Sequence, residues 1–230
     1  MLEEIAPNLS IQRHSLNIVG CKMGRVVSLI RLNSGKVIVH STAKFSPKDI
    51  HEISEYGDPA WMIEATNFHD TYAQDGRQAF ADIPYFTPSG FKYSESLSCS
   101  SMKELPAEWG DEIKVVRIDG MPNIQEHAVY HFASKTLIVA DLFFNIAPDS
   151  GWWTRNFLRA TVGISEYPGI SRLYKHYIKD REAFANSMQK ISSLDFEKIV
   201  VAHGKPIVDD EKKVFVELLA KHGLDGAVQI

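Results

Sequence analysis

Short apolar runs rich in β-branched residues predict a sheet in the N-terminal half of the chain. Two of them, Val26 to Leu32 and Lys36 to His40, flank Asn33-Ser34-Gly35, which suits the positive φ angles of a tight turn and so predicts a hairpin. Ser46 followed by proline is typical of a helix N-terminus, and amphipathic spacing continues after it. The apolar run Trp61 to Ala65 then predicts a buried strand.

The second half of the chain combines strands with a helical block. Strands are predicted at Ile113 to Ile118, Ala128 to Phe132, Thr136 to Ala140 and Lys198 to Ala202. Between the last two, apolar residues recur at helical spacing and predict two or three helices within 151–192, and another helix is predicted from Asp209 to Lys221. Because strands and helices alternate in blocks, a layered α/β or α+β fold is expected.

Three apolar strands end directly in a histidine or an aspartate. The stretches WMIEATNFHD, TLIVAD and KIVVAH place His69 and Asp70, then Asp141, then His203 at these ends. Since strand ends can gather side chains at one rim of a sheet, the three stretches are expected to converge on a cation. Imidazole and carboxylate together favour zinc, iron or manganese over calcium. Such an ion lowers the pKa of a bound water to about 7, so hydrolysis is the expected chemistry.

The order of these elements resembles the metallo-β-lactamase superfamily over about 26–206. Thr66 to Tyr72 stands where that family has its His-x-His-x-Asp-His signature. Thr136 to Phe144 resembles the strand that carries the family's metal-bridging aspartate, here Asp141, and Val200 to Gly204 resembles the strand that supplies its last histidine, here His203. The resemblance implies a four-layer αββα sandwich with a helical elaboration at 150–193, before the last strand.

The family signature is incomplete in this chain. In an ungapped overlay Asn67 stands at the first histidine and His69 at the second, while Thr71 and Tyr72 replace the aspartate and the last histidine. Half of a two-metal site is therefore missing. The early hairpin strand, which usually ends in an aspartate in the family, ends here in His40-Ser41.

The resemblance implies one more histidine ligand, one hairpin before Asp141. His127 and His131 both fit, and their different spacing to Asp141 leaves the choice open. Because the two positions have the same parity, they are expected to share a face of their strand.

The first hypothesis for function is a hydrolase that uses one divalent metal ion. His69, Asp141 and His203 would hold the ion with help from His127 or His131, since three protein ligands and a water suffice for catalytic zinc. Asp70 or Tyr72 would orient the water or the small-molecule substrate, whose identity the sequence does not give.

The second hypothesis is a pseudoenzyme that keeps the fold and acts as a binding or scaffold protein. Its binding surface would be the helical block, through Trp152, Trp153, Tyr174 and Tyr177, because aromatic residues are favoured at interface cores. The same surface would serve a homo-oligomer. The alternative for these aromatics is that they pack the helices onto the sheet.

Composition narrows the classes of partner. The 230 residues, 44% of them hydrophobic, fit one globular domain over 1–230. A net charge of -4 gives no bulk attraction to nucleic acid or to an anionic membrane surface. Lys175, Lys179 and Arg181 cluster, but their helical spacing predicts a solvated helix face. Cys21 and Cys99 lie far apart without a C-x-x-C pattern, which argues against a disulfide or a thiolate zinc site. With neither an export signal nor 18 continuous apolar residues, the protein is expected to be cytoplasmic.

Overall fold

The computed structural model describes residues 1–146, 151–164 and 166–225. The described strands are β1 (Leu2–Ala6), β2 (Leu9–His14), β3 (Asn17–Ile18), β4 (Cys21–Lys22), β5 (Arg25–Arg31), β6 (Lys36–His40), β7 (Asp58–Ile63), β8 (Tyr85–Thr87), β9 (Ser100–Ser101), β10 (Ile113–Arg117), β11 (His127–His131), β12 (Thr136–Val139) and β13 (Lys198–Val201). The described helices are α1 (Pro47–Tyr56), α2 (Ala73–Ala79), α3 (Trp152–Thr161), α4 (Arg172–His176), α5 (Arg181–Ser192) and α6 (Glu211–Lys221), with a short 3-10 helix at Ala107–Trp109.

Two main sheets contain most of the strands. The larger sheet has the order β1-β2-β5-β6-β7-β8-β9, the smaller has the order β10-β11-β12-β13, and β3 pairs only with β4. The predicted hairpin forms between β5 and β6, and the predicted hairpin between β11 and β12 pairs His131 with Thr136. Strands β6 to β9 run parallel to one another, and β12 runs parallel to β13.

Strand residues alternate between an inter-sheet core and two outer cores. Residues from both sheets fill the inter-sheet core, among them Ile38, Val129, Ile138 and Val200. The outer face of the larger sheet packs against α1 and α2, and that of the smaller sheet packs against α5 and α6. This arrangement confirms the predicted four-layer αββα sandwich, and α3 to α5 form the predicted insertion before the last strand.

The predicted elements agree with these bounds to within a few residues. Ser46 caps α1 and forms a capping box with Asp49, as its position before proline predicts. Strands β1 and β2 are not predicted by the sequence pattern. That 1–230 is a single domain stays a prediction, and residue 150, the predicted start of the elaboration, lies outside the described residues. None of the helices in the described ranges is long and apolar enough to cross a membrane.

The carboxyl ends of three strands meet where the two sheets come together. Ala65, Ala140 and Ala202 follow β7, β12 and β13 and form a small buried cluster of their own. Backbone bonds cross between the sheets here, from Val26 N–H to the Ala202 carbonyl and from His127 N–H to the Ala65 carbonyl. The methyl side chains of alanine allow this close approach, so the residues that follow lie at one shared rim.

Candidate metal centre

Three side chains from the three strand ends converge at this rim. His69 Nε2 lies 3.3 Å from Asp141 Oδ1, and His203 Nε2 lies 3.6 Å from the same oxygen. One ligand atom from each residue lies within 4.8 Å of the other two, and all three residues are buried. The structure therefore brings together three of the four residues that the strand-end pattern singles out.

The spacing of these atoms fits a metal ion. Donor atoms about 2.1 Å from a tetrahedral ion lie about 3.4 Å apart, close to both histidine–aspartate distances. Two imidazoles and one carboxylate form a set that zinc and iron accept, and three protein ligands leave a position open for water or substrate. The residues present fit a single ion of this kind.

A buried carboxylate orients the first ligand. Glu64 is fully buried, and its Oε1 lies 3.3 Å from His69 Nδ1. The hydroxyl of Ser41 donates to Glu64 Oε1 at 3.2 Å and that of Thr42 donates to Oε2 at 2.7 Å. Since Glu64 accepts at Nδ1, the His69 lone pair at Nε2 faces the cluster.

A backbone carbonyl orients the second histidine. His203 Nδ1 donates to the Gly24 carbonyl at 2.8 Å, which leaves Nε2 facing Asp141. His203 also stacks on Phe144, with 5.3 Å between ring centroids and 9° between planes. Gly204 permits this close packing, because its φ is +116° and a Cβ there would lie 1.9 Å from the Asn145 carbonyl oxygen.

A second buried carboxylate fixes the turn that carries Asp141. Glu126 accepts the backbone N–H groups of three successive residues, Ala140 at 2.8 Å, Asp141 at 3.2 Å and Leu142 at 3.3 Å. Burial, together with the nearby Asp141 charge, raises the pKa of Glu126 to about 7. The Tyr174 hydroxyl is close enough for Glu126 to help raise its pKa, although burial is the larger cause.

The electrostatics of the cluster keep its aspartate charged. Burial alone would raise the pKa of Asp141, but His69 and His203 outweigh burial and hold that pKa well below its usual range. Burial and the Arg25 charge lower the pKa of His69, yet Asp141 and Glu64 reverse the sign and leave that pKa raised. Burial lowers the pKa of His203. The donor set therefore has one charged carboxylate, and metal binding must displace a proton from His69 at acidic pH.

A cavity of about 340 Å³ opens onto the cluster. Its walls are mostly apolar, with Ile18 and Met23 from the β3–β4 hairpin region and Phe157 and Leu158 from α3. Arg25, at the start of β5, is the cation in this lining. The volume of this cavity is within the range of small-molecule binding sites.

Two residues assigned to the chemistry lie outside the cluster. Asp70 pairs with Lys92 Nζ at 3.3 Å, and the Tyr72 hydroxyl donates to the Ser15 carbonyl at 3.0 Å. Asn67, at the first histidine position of the family signature, donates to the carbonyls of Ser89 and Asn123. These three side chains hold loops around the site, so the roles of Asp70 and Tyr72 in catalysis stay predictions without a contact to support them.

The two alternative histidine ligands also lie outside the cluster. His127 donates from Nδ1 to the Gln125 carbonyl, and His131 Nδ1 lies 2.8 Å from the Ser134 hydroxyl. Because β11 runs antiparallel to β12, His131 sits beside the start of β12, about 13 Å along the strand from His127. The shared parity places both on the face of Val129, but neither joins His69, Asp141 and His203 in the described structure.

The sequence pattern does not identify three side chains beside the cluster, Glu64, Arg25 and Glu126. Glu64 had a signal, since it is a charge inside the apolar run Trp61 to Ala65. Arg25 had a similar signal, since it is a charge directly before the apolar run of β5. No pattern near Glu126 in the sequence indicates its role, because the backbone groups that it binds lie in a turn about 15 residues later.

Two facing sheets flanked by helices form a fold of the metallo-β-lactamase type. Solved structures of such proteins match nearly the whole chain. TMB-1 is 16% identical with a TM-score of 0.63, covering 97% of this chain and 98% of its own. DIM-1 metallo-β-lactamase is 14% identical with a TM-score of 0.62, covering 96% and 97%. A metallo-β-lactamase from Pontibacter korlensis is 13% identical with a TM-score of 0.61, covering 96% and 98%.

At these identities the likeness shows the fold alone. No protein-family model and no curated protein matches the chain.

Proposed function

We propose that the protein is a mononuclear metal-dependent hydrolase of a small molecule. The observation that carries this proposal is the convergence of His69 Nε2, Asp141 Oδ1 and His203 Nε2 beside a small-molecule cavity. Zinc, iron or manganese fits the donor set, and the metallo-β-lactamase fold supports a site at this rim.

The chain's own residues would prepare the site for an ion. When bound, a divalent ion acts as a Lewis acid and lowers the pKa of the water that it coordinates to about 7. Glu64 and the Gly24 carbonyl hold the imidazoles of His69 and His203 with Nε2 toward the site. Apolar walls such as Phe157 and Leu158 exclude bulk water, which strengthens every charge interaction inside the cavity.

Metal content is the first test of this proposal. Protein purified without added metal should contain close to one equivalent of a transition metal by elemental analysis. His203→Ala and Asp141→Ala should each lose it, because each removes one of three ligands. Asn67→Ala is the matched control and should keep it, since Asn67 contacts loops instead of the cluster. Less than about a tenth of an equivalent after zinc or iron loading contradicts the proposal.

Turnover is the second test. Hydrolysis of 4-nitrophenyl esters and of bis(4-nitrophenyl) phosphate should disappear with a chelator, return with metal, and be absent in the two ligand variants. Activity that survives chelation would assign the hydrolysis to other residues.

A non-catalytic scaffold is the second candidate, and one observation favours it. Trp152 and Trp153 at the start of α3 are 69% and 52% exposed, whereas Tyr174 is buried in the outer core of the smaller sheet. An exposed tryptophan pair is typical of a binding surface for a partner or a second copy. This candidate predicts a metal-free protein whose self-association, measured by analytical ultracentrifugation, is lost in Trp152→Ala with Trp153→Ala.

A further inference from the structure

Arg25 carries a buried charge that has no direct carboxylate partner. The residue is 2% exposed, Nη1 donates to the Ser41 hydroxyl at 3.2 Å, and Nε has no hydrogen-bond partner. Within the described ranges, Arg25 forms no salt bridge with a carboxylate within 4.0 Å. The guanidinium group carries a positive charge, and burying a charge without a partner of opposite sign is unfavourable. An unpaired arginine in this position is therefore a group that a ligand can complete.

The neighbouring carboxylates are already bound elsewhere. The Ser41 hydroxyl links Arg25 to Glu64, because it accepts from Arg25 and donates to Glu64. Glu64 also accepts from the Thr42 hydroxyl and contacts His69. Asp141 is shared between the two histidines of the cluster. Neither can pair with Arg25 directly without giving up these contacts.

Arg25 faces the cavity that holds the candidate metal ligands. It lines the 340 Å³ cavity together with His69, Asp141 and His203, among otherwise largely apolar walls. It also lines a wider outer groove of about 990 Å³, which shares Leu16, Met23 and Arg25 with the cavity. Arg25 therefore lies in the wall that the outer groove and the cavity share.

We infer that Arg25 binds the carboxylate of an apolar small-molecule substrate. One guanidinium with Nη1 already engaged suits a single-charged carboxylate, whereas a phosphate needs more donors than the apolar walls supply. The apolar part of the ligand would occupy the space between Phe157, Leu158 and Ile18. That this acid is the substrate rests on the proposed hydrolase function, but its binding does not.

Calorimetry with octanoate and octanamide tests the inference on chelator-treated protein. The two probes share a chain length and differ in charge. Octanoate should bind at least tenfold more tightly than octanamide, because a hydrogen bond between two charged groups is stronger than one from a charged group to a neutral amide. Arg25→Met, which keeps the apolar stem, should reduce octanoate to the affinity of octanamide and leave octanamide unchanged.

Arg13→Met is the matched control. Arg13 lies on the adjacent strand β2 and lines the outer groove, but it already pairs with Glu3 at 2.9 Å. The Arg13→Met variant should still bind octanoate more tightly than octanamide. Equal affinity of the two probes, no binding of octanoate, or equal effects of the two arginine variants would overturn the inference.

The experiment separates this inference from the proposed function. If Arg25→Met does not fold, judged by circular dichroism, the comparison of the two probes on the wild-type chain decides the outcome alone. Because the protein is metal-free, binding of octanoate through Arg25 would stand even if no metal is ever found. Metal binding without octanoate binding would keep the hydrolase and reject the carboxylate site.

Discussion

The two buried glutamates beside the cluster support it in different ways. Glu64, on the side of the larger sheet, is held by the side-chain hydroxyls of Ser41 and Thr42 and contacts a ligand histidine directly. Glu126, on the side of the smaller sheet, accepts the backbone N–H groups of 140–142 and reaches Asp141 through the turn. One glutamate therefore orients a ligand side chain, and the other shapes the backbone that carries a ligand.

Because of this difference, we expect Glu64 and Glu126 to control different properties of the protein. Glu64 should affect metal affinity, because a carboxylate at Nδ1 sets the orientation and basicity of a ligand imidazole. Glu126 should affect folding stability and its pH dependence, because its pKa is raised to about 7 by burial first and by Asp141 second.

The largest expected effect concerns Glu126 and pH. A glutamate that titrates near 4.3 unfolded and near 7 folded loses stability as pH rises between these values, since the unfolded chain releases the proton first. The free energy of unfolding of metal-free wild type should fall by about 2–3 kcal/mol from this residue between pH 5 and pH 8. Urea unfolding of Glu126→Gln should lack that fall, and exposed Glu55→Gln should retain it.

Replacing Glu64 should weaken metal binding, and the change in binding free energy should be smaller than the change in unfolding free energy expected for Glu126. Glu64→Gln keeps the shape but removes the charge at His69 Nδ1, and such changes typically weaken metal binding by about 10- to 100-fold. Competition with a chromophoric chelator measures the loss. Glu126→Gln in the same assay should change affinity less than Glu64→Gln; the reverse order would contradict the division of roles.

His40 should give a smaller pH effect of the opposite sign. It is buried, its Nε2 has no hydrogen-bond partner, and burial lowers its pKa to about 4. The unfolded chain takes up this proton near pH 6.5 and the folded chain does not, so stability falls with acid in the window from 6.5 to 4. Between pH 7 and pH 5.5 the loss should be about 1 kcal/mol, absent in His40→Gln and present in the exposed-site control His51→Gln.

The smallest effect is expected at the histidines of β11. His131→Gln should leave metal content unchanged, because His131 lies at the far end of the strand and contacts Ser134. His127→Gln should behave in the same way, since His127 does not join His69, Asp141 and His203 among the described residues. Loss of metal in either variant, with the fold intact by circular dichroism, would mean that a fourth ligand moves into the cluster.

The sequence alone determined the main strands and the three ligand candidates. His69, Asp141 and His203 each follow an apolar run within a few residues, so a local pattern identifies them and the rule that strand ends share a rim brings them together. The choice between His127 and His131 stayed open in the sequence, and only the observed pairing with Thr136 placed His131 beside the start of β12. A residue next to the hairpin turn must lie beside the start of the following strand, not its end.

Only the tertiary structure decided what surrounds the ligands. Ser41 and Glu64 are 23 residues apart, Glu126 and Asp141 are 15 apart, and His203 and Gly24 are 179 apart. These pairs form because the two sheets pack closely at Ala65, Ala140 and Ala202, a contact that no run of neighbouring residues encodes. The unpaired charge of Arg25 is of the same kind, since a partner's absence is visible only once every nearby carboxylate has a position.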